Sequence, residues 1–332
     1  MDREKFIQAS ATIRILEKKL LKKEQLNTLK EQKSLEDVLN NLNGTIYHET
    51  IVKLNSPKEY EKVLQNEEIR FYKEVYSICP DREVVDFLAL KYYYHNIKVL
   101  VKEYILGEDF SDHLIFTPGL DLDLFKKDIR DDNSKSSIEL MKVFKGAVSI
   151  YEKNKNPQDI DIYIDREYFK NLIELAKKLK VDMIIKYAED RIDFRNINTL
   201  LRCREQNKDE RFIRTVLNKG GNLDIEGILD FLKGNLSEDN PFLRRSRIYK
   251  PVKRGITEYE NNGSLTAFEK ERDNHLIRTI KEAKTITYGP EVVFAYLYAK
   301  EMEIVNLRTI MIAKDNDLDD SFIDERLRDN YV

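Results

Sequence analysis

Any chemistry this chain performs on its own must come from a few residue groupings, and each can be read for what it could do. The four histidines, His48, His95, His113 and His275, are scattered, and no two stand at a ligand-like spacing for one metal ion. The two cysteines, Cys79 and Cys203, are too few for a disulfide framework and point to a reducing compartment. Lys219-Gly220-Gly221-Asn222 is the nearest approach to a phosphate-cradling loop. It follows a helical pattern rather than a strand, so it reads as a helix cap and turn. The densest basic cluster is Arg244, Arg245 and Arg247, with Lys250, Lys253 and Arg254 close behind. Such a cluster can dock an acidic partner or lipid headgroups, or it can be a solvated loop. No convergent set of titratable groups is visible, so neither a cofactor nor a small-molecule substrate is implied.

The residues that do recur are three asparagines, Asn96, Asn196 and Asn306. His95-Asn96-Ile97 followed by Leu100-Val101, Arg195-Asn196-Ile197 followed by Leu200-Leu201, and Val305-Asn306-Leu307 followed by Ile310-Met311 share one pattern. The likeness extends upstream: Val84-Val85, Ile184-Ile185 and Phe294-Ala295 stand twelve and eleven residues before each asparagine. Phe87-Leu88, Tyr187-Ala188 and Leu297-Tyr298 stand nine and eight before, and Tyr92, Ile192 and Met302 four before. These offsets trace one stripe of a helix with 3.6 residues per turn. Three residues before the asparagine, two copies carry a carboxylate, Asp193 and Glu303, where the first has Tyr93. A polar group on a buried stripe must find a partner, so each asparagine is expected to hydrogen-bond structurally, often to a neighbouring helix terminus. Asp193 and Glu303 are expected to pair locally with a lysine or arginine.

Each such helix is preceded by another amphipathic run, Glu61 to Ile78, Tyr168 to Leu179 and Phe268 to Lys284, giving a helical hairpin repeated three times. The repeat interval is 100 and then 110 residues, far longer than a solenoid repeat, so each unit reads as a small domain. All seven prolines fall at breaks in the helical pattern, and Ser56-Pro57-Lys58-Glu59 is a capping box with proline at the first position. Gly107, Gly220 and Gly234 follow apolar-periodic runs, where a left-handed cap is expected. Tyr92-Tyr93-Tyr94 places three rings around one turn, so at least one is expected at a domain boundary or a partner surface. Ser10 to Leu42 reads as an exposed helical arm followed by a short helix. Asn43-Gly44-Thr45, Asn235-Leu236-Ser237 and Asn262-Gly263-Ser264 match the glycosylation sequon but read as chance matches at turns.

Composition narrows the function. The 332 residues carry 57 basic and 60 acidic side chains, too balanced for a dedicated nucleic-acid binder. The charged N-terminus does not read as a signal peptide. The longest apolar run, Val292 to Ala299, falls far short of the roughly 20 residues that span a bilayer.

The order of these segments resembles the C subunit of the rotary V/A-type ATPases, called the d subunit in the eukaryotic enzyme. The middle copy is the most similar: Ile164-Asp165-Arg166-Glu167-Tyr168-Phe169, then Ile192-Asp193-Phe194-Arg195-Asn196-Ile197 leading into Thr199-Leu200-Leu201-Arg202. Asp86-Phe87-Leu88 to Asn96-Ile97-Lys98, and Glu303 to Arg308 through Arg326-Leu327-Arg328 to Tyr331-Val332, resemble the family's N- and C-terminal counterparts. The resemblance implies an all-α, funnel-shaped fold of three similar domains about a pseudo-threefold axis, here 1–116, 117–222 and 223–332. It also implies a non-catalytic central-stalk subunit at the cytoplasmic face of the membrane. Its partners would be the central-shaft subunits and, by peripheral contact, the membrane proteolipid ring, so that ATP hydrolysis or synthesis is coupled to H+ or Na+ transport. The repeat alone would also suit a cytosolic all-helical adaptor gripping a protein partner.

Overall fold

The computed structural model describes residues 2–234 and 241–332. Asn235-Leu236-Ser237, one of the sequon matches, therefore lies outside the described residues. Four short helices open the chain: α1 (Ile7–Glu17), α2 (Lys23–Lys30), α3 (Leu35–Leu42) and α4 (His48–Ile51). The first pair of long helices is α5 (Tyr60–Ile78) and α6 (Glu83–Leu106). Helices α7 (Leu122–Arg130) and α8 (Ile138–Asn154) lead to the second pair, α9 (Pro157–Leu179) and α10 (Asp182–Glu205). Four more, α11 (Glu210–Val216), α12 (Ile225–Lys233), α13 (Pro241–Arg244) and α14 (Tyr249–Asn262), precede the third pair, α15 (Thr266–Ile280) and α16 (Pro290–Asp315). The chain closes with α17 (Asp320–Arg326), and the described residues contain no strand.

The boundaries follow from local chemistry. Pro57, Pro157 and Pro290 each occupy the first helical turn, where the missing N–H costs nothing, and Pro251 sits in the first turn of α14. Ser34 caps α3 by accepting from Asp37 N, and Asn156 caps α9 by accepting from Gln158 N. The box expected at Ser56 is displaced by one residue in each bond: Ser56 Oγ accepts from Lys58 N at 3.4 Å, and Glu59 accepts from Asn55 N at 3.0 Å. Gly107 ends α6 in the left-handed conformation with φ +70°. Gly234 departs from expectation: it follows α12 with φ −86° in extended backbone, and Gly220, φ +102°, lies in the loop after α11 instead of capping it.

Packing decides what the periodicity could not. Each first arm lies more extensively against the long helix of the preceding unit than against its own: α9 along α6, α15 along α10, and α5 along α16. The set closes on itself, so every long helix is covered from two units. The apolar stripe read from the sequence is accordingly only part of the story. On α16 every residue from Pro290 to Ile304 is buried, and α6 and α10 are buried over most of their turns. A helix that is apolar or paired all round belongs inside, not on a surface. Where the long helices meet, Phe87, Tyr187 and Phe294 form a three-way ring cluster with centroids 5.9, 5.8 and 5.1 Å apart, all edge to face. Such pairs add to area burial in fixing orientation. A smaller core, including Phe194, Leu201, Ile228, Val252 and Phe268, joins the second half of α10 to α12 and α14.

The N-terminal segment is not the exposed arm the sequence suggested. Phe6, Ile13, Leu16, Leu26, Leu29, Val38 and Leu42 are buried, and α1, α2 and α3 all pack on α16. The two ends of the chain are stitched together: Arg3 binds Glu291 at 2.6 Å, Ser10 Oγ accepts from Gly289 N at 3.1 Å, and Asn330 Nδ2 donates to Leu21 O at 2.6 Å.

Candidate functional site

The three asparagines occupy one role three times. Asn196 donates Nδ2 to Asn218 O and accepts Asn218 N on Oδ1, both at 2.8 Å. Asn96 does the same with Ile115, at 2.7 and 2.9 Å, and Asn306 with Arg328, at 3.2 and 2.8 Å. In each copy a side-chain amide imitates one peptide group of a strand and grips an extended segment 19 or 22 residues further on. The partner in each copy is the residue just past the C-cap of a short helix (Leu114, Leu217 and Leu327 being the caps), so the expected bond to a neighbouring helix terminus is found. Each asparagine is 1% exposed, so the bonds are made out of water.

The position three residues earlier extends the grip. Asp193 accepts from the backbone N–H of Asn222 and Leu223, at 3.0 and 3.2 Å, and has no lysine or arginine in ion-pair contact among the described residues. The local pairing expected for it is corrected. The Gly220-Gly221 turn brings backbone donors to the carboxylate, and a Cβ on Gly221 would collide with Asp193 Oδ1. Burial pushes the Asp193 pKa up to about 7, with the two N–H bonds opposing. In the first copy Tyr93 takes this place, its hydroxyl accepting from Gly119 N at 3.0 Å and donating to Asp86 at 2.6 Å. In the third copy Glu303 holds no such loop among the described residues. It accepts instead from Leu21 N at 2.5 Å and Tyr47 at 2.6 Å, and it does pair locally, with Lys300 at 2.5 Å.

Lys300 is the most buried cation of the described residues, 0% exposed, held by Glu303, by Glu67 of α5 at 3.0 Å and by Tyr47 at 3.0 Å. One residue on, Glu301 accepts from Tyr72 at 2.5 Å and pairs with Lys91 of α6 at 2.7 Å. Glu301, Lys91 and Arg191 stand five residues before their asparagines, one from each long helix, a turn beyond Phe87 and Tyr187. These charges were missed by the sequence reading, although the repeat register held the signal: one charged residue recurs at that offset in all three copies.

All six residues of the basic cluster are exposed, and some of them also pair with neighbouring helices. Arg247, though exposed, pairs with Glu189 at 2.7 Å and Asp190 at 2.9 Å on α10, where His275 also meets Asp190 at 2.8 Å. Arg254 pairs with Glu271 of α15. Lys250, Lys253 and Arg254 line a groove of about 640 Å³ between α14 and α15, and Lys253 lies over the Tyr249 ring. Arg244 and Arg245 are exposed on and just after α13. Of the three tyrosines, Tyr92 bonds Glu68 of α5, Tyr93 serves its own loop, and Tyr94 accepts from Asn171 of α9 and meets the Tyr168 ring edge to face.

Among the described residues no group of histidine, cysteine, aspartate and glutamate could hold a metal ion, and no helix is long and apolar enough to cross a membrane. The polar residues that recur hold backbone and neighbouring helices. Together they define a helical linking element, built to keep several units in fixed relation. The chain belongs to the ATP synthase (C/AC39) subunit family, whose model matches residues 9–326. It is similar to the C subunit of the V-type sodium ATPase of Enterococcus hirae, 28% identical over 96% of this chain and 97% of that protein. It is also similar to the C subunit of the A-type ATP synthase of Thermococcus kodakarensis, 25% identical over 91% of this chain and 84% of the relative. The corresponding protein of Methanocaldococcus jannaschii is 23% identical over 92% and 82%. The chain is therefore a non-catalytic subunit of a rotary V/A-type ATPase complex and a partner of its other subunits.

Proposed function

We propose that this subunit is the socket between the central shaft and the membrane proteolipid ring, seated peripherally on the cytoplasmic face. The observation that carries the reading is the closed cycle of packing, each arm against the preceding unit's long helix, around the Phe87–Tyr187–Phe294 cluster. Three units in such a cycle, 1–116, 117–222 and 223–332, fit a pseudo-threefold funnel, with α1, α2 and α3 closing the ring against α16. A funnel offers a concavity to a shaft and a rim to a ring of repeated subunits. A part that carries torque must also resist shear: the interlocked arms and the buried Lys300 network cross-link helices directly, and the three asparagine clamps tie the returning segments to the long helices. ATP hydrolysis or synthesis and H+ or Na+ binding reside in other subunits. The test is gel filtration with proteolipid rings solubilised in detergent: the chain should co-elute with them, and independent elution would refute the seating.

A further inference from the structure

The layer just beyond the ring cluster holds one charged side chain from each long helix: Lys91, Arg191 and Glu301. Its charges do not balance. Glu301 is taken by Lys91 at 2.7 Å. Arg191 donates to the Tyr187 hydroxyl at 3.1 Å and rests over that ring, but no carboxylate of the described residues lies at ion-pair distance from it. Arginine cannot shed its charge, and a recessed guanidinium ordinarily has an anionic partner. The other cations around it are all engaged: Lys98 and Arg195 with Asp165 at 2.6 and 2.9 Å, Arg272 with Asp273 at 2.8 Å. These residues line a cleft of about 340 Å³ between α6, α9, α10 and α15, with Tyr94, Tyr168 and Phe169 as apolar wall.

We infer that this cleft receives an acidic segment of a protein partner, one carboxylate of which pairs with Arg191. The inference rests on the socket reading, since it makes the shaft's foot the occupant, and it adds which contact anchors it. A planar membrane surface does not reach a recess between four helices, whereas a projecting chain end does. The aromatic wall suits the apolar stem of a glutamate, and the fork of the guanidinium suits a bidentate carboxylate. Lys98 and Arg195, 26% and 42% exposed, stand at the mouth where they would steer the encounter.

The test is binding of the purified shaft subcomplex to the full chain by titration calorimetry across salt concentrations. Arg191→Met should weaken binding roughly 30-fold or more, the scale for truncating one partner of a buried charge pair. Arg191→Lys, which keeps charge and fold but not the fork, should fall between. Lys98→Gln with Arg195→Gln should mainly flatten the salt dependence. Unchanged affinity in Arg191→Met and Arg191→Lys overturns the inference and leaves the socket reading standing. No binding by the wild-type chain overturns both. Loss of binding to anionic lipid vesicles in Arg191→Met, with shaft affinity intact, would assign the cleft to lipid and likewise overturn it.

Discussion

Replacing Asn196 by alanine isolates the device that recurs in all three units. The substitution removes two 2.8 Å hydrogen bonds and leaves the N–H and C=O of Asn218 facing the vacated site, in a residue only 5% exposed. An unsatisfied buried backbone group costs about 1–3 kcal/mol, so two of them, partly relieved by water entering the small gap, place the loss near 3 kcal/mol. With an unfolding entropy of ~2.1 cal/mol/K per residue, a cooperatively unfolding chain of 332 residues has about 0.7 kcal/mol/K, and the midpoint falls by about 4 °C. Calorimetry on the purified chain reads that shift directly. Asn196→Asp separates hydrogen bonding from volume. The carboxylate can still accept from Asn218 N, but its second oxygen then faces Asn218 O, so the variant should be at least as unstable at pH 8 and recover as acidification protonates it. A loss under about 0.5 kcal/mol in Asn196→Ala, the range of neutral surface changes, would refute the clamp as a stabilising element.

Other perturbations test the remaining contacts. Lys300→Met strips the shared partner from Glu67 and Glu303 and should destabilise by about 3–5 kcal/mol; urea midpoints that stay put would contradict the buried network. For Asp193 the folded-state pKa of about 7 lies above the unfolded value, so the group's contribution is fully present at low pH. It is lost as pH rises from the unfolded pKa of ~3.9 toward the folded one, at up to ~1.4 kcal/mol per pH unit. Asp193→Asn should remove that slope between pH 4 and 7, and an unaltered pH–stability curve would refute the assignment. Tyr187→Ala empties the centre of the ring cluster and should cost about 3–5 kcal/mol, whereas Tyr187→Phe, which loses only the Arg191 bond, should cost far less. Equal effects in those two variants would mean that the ring is not what matters.

Much of this was legible in the sequence, and the reasons differ from element to element. The helical hairpins showed because apolar periodicity and prolines are local signals. The three asparagines showed because they recur within a stripe, yet their partners did not, since Ile115, Asn218 and Arg328 are held by backbone atoms that any residue carries. The Asp193 loop was misread as an ion pair for the same reason. Ser10 to Leu42 was misread as an exposed arm because one buried face on a short helix does not say which distant helix covers it, and here the cover is α16, more than two hundred residues away. In the basic cluster the run of like charge was legible but its partners were not, since Arg247 pairs with α10 and Arg254 with α15, each far off in sequence or across a turn. Lys91, Arg191 and Glu301 went unnoticed because offset −5 lies off the apolar stripe that defined the repeat.

We propose that this chain carries rotation between the shaft and the ring without catalysing anything. The direct measurement is ATP-driven ion transport and ATP hydrolysis, read together in vesicles holding the complex with and without this subunit. Hydrolysis that continues while transport collapses, and transport restored on adding the chain back, is the predicted result. Transport that proceeds at full ratio to hydrolysis in its absence would contradict it.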